Sequence, residues 1–280
     1  MSASHAPVML YPQTGIAASA RRVRALVRRH AYLLLKSWPR IVSMAYYPTV
    51  TMVLWAFVTI YLAPTNSFLR DAPGFFLGAV LLWDVLFRGQ LGVSLTFIEE
   101  MYARNLGNLF VSPLRYYELI AGQLVMSMMR TLIGVGGACF FAWLLFRYSI
   151  FSYGFALLAF FVNLLLFGWA IGLAVSGMVL RWGLGAEELA WAAIFLFAPV
   201  SGVYYPIAVL PPPLQAIAWG LPSAYVFEGM RAVLLEHSFR WDLLGRALVL
   251  NVVYLAIGIA LFRIAIGYAR KRGMLLQMGE

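Results

Sequence analysis

A small set of ionisable side chains carries whatever chemistry this sequence has. Asp84 and Arg88 stand four residues apart inside one apolar stretch, and Arg130 stands alone inside the next. A charged side chain at bilayer depth costs about 2.5–3.5 kcal/mol to insert, so each needs a reason to be there. Residues four apart on a helix face each other, and an Asp84–Arg88 ion pair is expected. The three residues suit a polar lining for a transport path. They suit equally a clamp that fixes helix packing, and the sequence leaves both readings open. Glu228 and Arg231, three apart near a run of prolines, invite the same two readings.

Other chemistries lack their residues. A P-loop needs glycines followed by Lys-Ser or Lys-Thr, because backbone amides and the lysine hold the phosphates. The two lysines are Lys36 in LLLKS and Lys271 in ARKRG, and neither context fits. ATP-driven work by this chain would need a second polypeptide, which would hold the ATP and Mg. No cofactor is expected in the chain itself. A membrane serine protease would want Gly-x-Ser-Gly, but Ser176 lies in AVSG and Ser201 in PVSG. The histidines, His5, His30 and His237, fall outside the apolar segments, and the lone Cys139 can form neither a disulfide nor a cysteine metal site. No catalytic residue and no metal ligand is assigned.

The elements that must position these residues are long and apolar. Of 280 residues, 63% are hydrophobic and 11% charged, where a soluble domain carries about a quarter charged. Mean hydropathy is +0.83. The runs suit helices of about 20 residues and lack the period-two alternation of a barrel. The expected fold is an all-α, multi-pass membrane protein. Its apolar segments are 41–63, 74–97, 117–146, 151–180, 189–205 and 244–269, six crossings in all. The formal charge of +10 is concentrated at segment ends, where it sets topology, so no nucleic-acid partner is expected.

Before the first segment, residues 17–40 place Val23, Leu26, Val27, His30 and Leu34 on one helical face and Arg21, Arg24 and Arg28 on another. That pattern predicts an amphipathic helix lying on a membrane surface, or a plain topology anchor. Residues 1–40 thus read as a cytoplasmic tail and interface helix, 41–269 as the membrane domain, and 270–280 as a cytoplasmic tail with Arg270, Lys271 and Arg272. The first twenty residues lack an apolar core, so no signal peptide is expected. Cytoplasmic anchors at both ends require an even number of crossings.

The fifth segment is interrupted by Pro199 and closed by Pro206. Pro211, Pro212 and Pro213 follow, then a stretch ending at Pro222 that is too short to span. Non-helical backbone at membrane depth survives only where protein or a wet cavity satisfies it. Residues 206–240 are therefore expected to form a re-entrant or interfacial hairpin on the outer side. Gly168, Gly172 and Ser176, spaced by four, let two helices approach closely, within the molecule or between copies.

Two stretches, IEEMYARNLGNLFVSPLRYYELIAGQL and APVSGVYYPIAVLPPPLQAIAWGLPSAYVFEGMRAVLL, resemble the membrane subunits of type-2 ABC exporters, the group of drug-export and polysaccharide-export permeases. Gly202, Pro206, Pro211, Pro222 and Arg231 fall in the family order, and Tyr204, Tyr205 and Glu228 lie among them. The resemblance implies a cytoplasmic coupling helix at about 98–113 that docks into a separate ABC ATPase subunit, two copies per complex. It would use Glu99, Glu100, Arg104, Leu106, Leu109, Phe110, Ser112 and Pro113. One departure is Arg104-Asn105, where many drug-export members have Gly-Thr. On the residues themselves, Glu99 and Glu100 would cap the start of that short helix. Leu106, Leu109 and Phe110 would give it one apolar face for a partner groove. The resemblance further implies a second permease copy or a paralogue, contact with membrane lipid, a bacterial cytoplasmic (inner) membrane location, and export of a drug, lipid or glycan. The competing class is an ion-coupled secondary transporter or channel working through Asp84, Arg88 and Arg130.

Overall fold

A computed structural model describes residues 15–64 and 74–272. The expected first outer loop with Arg70 and Asp71, and the ends of both tails with His5, lie outside the described residues. The helices are α1 (Ile16–Leu35), α2 (Trp38–Leu62), α3 (Phe75–Tyr102), α4 (Leu106–Val111), α5 (Tyr116–Phe146), α6 (Phe155–Trp182), α7 (Glu188–Phe197), α8 (Pro212–Ala218), α9 (Pro222–Leu235) and α10 (Trp241–Lys271).

Five of these, α2, α3, α5, α6 and α10, are long and apolar enough to cross a membrane. The expected sixth crossing is different. Helix α7 has 10 residues and continues only as a 3-10 turn, Ala198–Val200. At 1.5 Å per residue that is about 20 Å, short of the roughly 30 Å hydrocarbon core. Pro199 sits inside the turn, and a proline removes a helical donor and crowds the preceding turn. Gly202 then reverses the chain at φ +65°, a conformation that glycine tolerates best. By length alone, the described residues hold five helices of spanning length and one short apolar helix.

Helices α3 and α6 form the centre of the bundle and bury most of their surface. Helices α2 and α10 stand at its margin with largely exposed apolar faces. The small-residue stripe explains the centre. A Cβ on Gly168 would come within 2.6 Å of the Leu86 carbonyl oxygen of α3, and one on Gly172 within 2.7 Å of the Gln90 carbonyl oxygen. The stripe therefore packs α6 onto α3 within one molecule. Helix α10 repeats the device with Gly258, whose added Cβ would strike the Ala170 backbone of α6. Fully buried Phe75, Phe97, Phe167, Phe227 and Phe262 fill the spaces between. Asn251 donates to Asn163 Oδ1 at 2.9 Å and fixes the α10–α6 register with a polar contact inside lipid.

Helix α3 runs past the expected end of its segment at 97. Ile98 and Met101 are both buried, so the apolar face continues and the helix with it. The stop comes at Arg104, in the left-handed region at φ +50°. Glu99 and Glu100 thus sit in the last turn of a long helix and do not cap a short one, which corrects the expectation from sequence. The short helix is α4, six residues ending just before Pro113.

Candidate functional site

The site builds from α1 upward. Its arginine-rich face would float free unless something held it, and two buried carboxylates do. Glu100, at the end of α3, accepts from Arg29 and from Asn105 Nδ2 at 2.6 Å. His30 Nε2 lies 2.8 Å from the same carboxylate, and His30 Nδ1 lies 2.9 Å from the Leu26 carbonyl oxygen. Glu118, in the first turn of α5, accepts from Ser19 and from Arg22 Nε at 2.9 Å and Nη2 at 2.6 Å. The Arg115 backbone N–H completes that set at 2.9 Å. The hydrogen bond from Arg22 to Glu118 holds the guanidinium above its ordinary pKa. One helix end and one helix start are thereby tied to α1, and α4 lies between them.

This clamp fixes the relation of α1 to α4. A groove of about 380 Å³ runs between them, walled by Arg22, Leu26, Arg29, Asn105, Leu109 and Pro113. Leu109 is half-buried, while Arg104, Val111, Ser112 and Pro113 are exposed. Leu106 is not: it packs in the main core at 2% exposure. It cannot join an apolar docking face, because its side chain is already enclosed by the core. The side chain of Phe110 lies outside the described residues. The groove combines an apolar floor with two guanidinium groups already paired with buried carboxylates, of which only Arg29 keeps much exposed surface, chemistry suited to a largely apolar partner surface.

The three charged residues within the spans do not form one site. Asp84 and Arg88 pair with each other at 2.5 Å. Arg130 pairs instead with Glu99, Nη2 to Oε2 at 2.7 Å, and Arg40 approaches the same carboxylate at 3.4 Å. Glu99 therefore serves α5 and α2 at the C-terminal end of α3. The Arg88 guanidinium lies against Gly134 of α5, where a Cβ would come within 2.6 Å of its Cζ. The absence of a side chain at 134 makes room for the pair.

At the other end of the bundle, residues 201–211 fold back over α9. Arg231 is 6% exposed. It donates to the carbonyl oxygens of Gly202 and Tyr205, the latter at 2.7 Å, and meets Glu228 at 3.1 Å. Glu228 accepts from the Ile207 backbone N–H at 2.8 Å. The two residues staple the turn that Gly202 and Pro206 create. Ser201 and Ser223 hydroxyls meet at 2.9 Å, and Tyr204 stacks on Trp55 of α2 at 4.5 Å. Pro211 precedes α8 and Pro222 opens α9, each where a missing N–H costs nothing.

Two further features were not read from the sequence. The carboxylate clamp was missed because its ties to α1 join residues 70 to 99 apart. Its available signals were Glu118 directly before an apolar run and His30 on an otherwise apolar face. The second is a cavity of about 700 Å³ between α3, α5 and α6, walled by Leu82, Val135, Cys139, Trp143, Tyr148 and Phe161. Tyr153, beside it, is buried, and burial pushes its phenol up to about 12. Among the described residues no three His, Cys, Asp or Glu side chains gather as a metal site.

A family model, ABC-2 type transporter, matches residues 21–235. The matched region starts in α1 and ends in α9, so it contains all of the clamp but Ser19, the groove, the α3–α6 core and the 201–211 turn. No curated protein matches the chain. Members of this family are membrane permeases that work with an ABC ATPase. A match over so much of the chain, on a bundle of apolar helices of spanning length, settles its kinship: the protein is a multi-pass membrane permease of the ABC-2 type transporter family.

Proposed function

We propose that the chain is the permease subunit of an exporter in a bacterial cytoplasmic membrane, energised by two copies of a separate ATPase subunit that hold ATP and Mg. Two copies of the chain, or one with a paralogue, line the path. The cargo is amphiphilic, lipid-like or glycan. Both termini lie in the cytoplasm. Short helix α7 together with the outer turn completes a sixth crossing, which the basic residues at both ends require.

One observation carries this reading: the groove between α1 and α4, held open by Glu100 and Glu118. A structure needed only to cross the bilayer has no use for a groove between two such helices, pinned in place by buried ion pairs. An ATPase seated there would push α4 and α1 together when it closes on ATP. The push would pass through Glu99 and Glu100 into α3, the buried centre of the bundle. The ion-coupled reading gains nothing from Asp84 and Arg88, which satisfy each other.

The test is a photo-crosslinking residue at Leu109 in cells, with Phe57 on the outward face of α2 as control. Capture of a P-loop ATPase at Leu109 and not at Phe57 supports the proposal. Capture at neither, from membranes where the chain is abundant and folded, overturns it.

A further inference from the structure

The outer turn encloses a second polar cleft that the transport reading does not use. Its volume is about 570 Å³, within the usual range of about 300–1,000 Å³ for small-molecule sites. It lies between the α8–α9 hairpin and the start of α10. Charge lines it in an ordered way. Glu228 is matched by Arg231, and Asp242 by Arg240 at 2.7 Å. That leaves one acid, Glu236 at the end of α9, and one cation, Arg246 on α10, both on the wall of the cleft. Neither forms an ion pair at contact distance among the described residues; Glu236 accepts from the Ser238 hydroxyl at 3.3 Å and feels the Arg240 cation only at longer range. Arg231 Nε, in a side chain 6% exposed, is a buried donor with no acceptor among the described residues. A buried donor of this kind is uncommon without a ligand or water.

Trp219 and Tyr225 add an aromatic wall, with ring centroids 5.0 Å apart and the Tyr225 hydroxyl donating to the Trp219 carbonyl oxygen at 2.9 Å. Trp219 and Trp241 are both exposed at this level, as aromatic side chains are at a membrane–water boundary. Below the cleft the chemistry changes along one stripe of α10. Asp242 and Arg246 are followed by Val249, Val253 and Ile257, all exposed. This i, i+4, i+7, i+11, i+15 spacing keeps them on one helix face. Charge at the top and an uninterrupted apolar track beneath is the outline of a single lipid.

We propose that this cleft binds the zwitterionic headgroup of a phosphoethanolamine lipid. The phosphate meets Arg246, with Arg231 on the wall of the same cleft. The ammonium, with three N–H donors, meets Glu236 against the face of Trp219. The acyl chains follow Val249, Val253 and Ile257. A quaternary choline offers Glu236 no N–H donor, and an anionic glycerol headgroup offers it hydroxyls but no cation. Placement in the outer leaflet rests on the proposed topology; the headgroup preference does not.

The test uses the full chain in nanodiscs of mixed phosphatidylethanolamine, phosphatidylcholine and phosphatidylglycerol. Retained lipid is read by native mass spectrometry after extraction. Selective retention of phosphatidylethanolamine is expected, with about tenfold loss in Arg246→Ala, the scale of one charge-assisted contact. Glu236→Gln should bind phosphatidylcholine and phosphatidylethanolamine alike. Equal retention of all three lipids by the parent chain overturns the proposal. So does release of the lipid by a soluble oligosaccharide, which would assign the cleft to a glycan. Circular dichroism of each variant separates loss of lipid from loss of fold. An impermeant maleimide on Pro213→Cys reports the side. Labelling only from the cytoplasmic face would overturn the proposed topology while leaving the headgroup preference standing.

Discussion

Replacing Glu100 by Gln should free α1 from the bundle. The Glu100 side chain is 4% exposed and receives Arg29, His30 and Asn105. Glutamine keeps the shape but loses the charge, and its NH₂ faces other donors. Net hydrogen bonds to a charged group are worth about 1.5–3 kcal/mol each. Arg29, with a side chain 40% exposed, regains water and recovers much of its share. His30 is 3% exposed and does not. The loss should therefore approach that for breaking one buried pair, at the lower end of about 3–5 kcal/mol. At about 1.4 kcal/mol per decade, local opening of α1 should become about a hundredfold more frequent. The helix carries Arg21, Arg22, Arg24, Arg28 and Arg29, each a trypsin site when unwound. Limited trypsin digestion of the purified full chain, timed under native conditions, reads the opening directly. The rate of cleavage between residues 21 and 29 should rise by one to two orders of magnitude, while the spans stay intact. An unchanged rate would refute the clamp.

Other substitutions probe the remaining links. Gly134→Leu should force the Arg88 guanidinium aside and lower the unfolding midpoint in detergent, by overpacking worth about 1–3 kcal/mol; an unaltered midpoint would mean the Asp84–Arg88 pair has other room. Arg104→Gly should raise stability by about 1 kcal/mol, since φ +50° is strained for any side chain; a lower midpoint would show that the Arg104 side chain makes a contact of its own. Asn251→Leu should cost about 0.6–1.7 kcal/mol, and adding Asn163→Leu should cost little more because the two share one contact; additive losses would argue against the pairing. Leu109→Asp should leave membrane insertion intact and uncouple ATP hydrolysis from transport; unaffected transport would remove α4 from the coupling role.

Much of the bundle was legible in the sequence because lipid imposes a simple rule: apolar runs of spanning length become helices. The α2, α5, α6 and α10 boundaries fall within a few residues of the runs that predicted them. The i, i+4 pair of Asp84 and Arg88 was equally local. What failed depended on tertiary context. The end of α3 was placed too early because Ile98 and Met101 lie among polar neighbours. Their burial in the main core, which carries the helix onward, is a tertiary effect. Glu99 was grouped with the docking surface and Arg130 with the path, yet the two are partners 31 residues apart. The length of α7 was overestimated because hydropathy continues to Tyr205 while the backbone does not. Pro199 and Gly202 end the helix without lowering the apolar content. Glu228 and Arg231 stayed open between a path lining and a structural clamp because their partners are backbone carbonyl and amide groups of a turn, which no side-chain pattern announces.

The central claim is that this permease is driven by a separate ATPase seated on the α1–α4 groove. The most direct measurement is a pull-down of the tagged full chain from native membranes in mild detergent, with partners weighed by mass spectrometry. The account predicts a P-loop ATPase in roughly equal amount, lost on Leu109→Asp and weakened by Glu100→Gln. Repeated recovery of the intact, folded chain without any ATPase would contradict it.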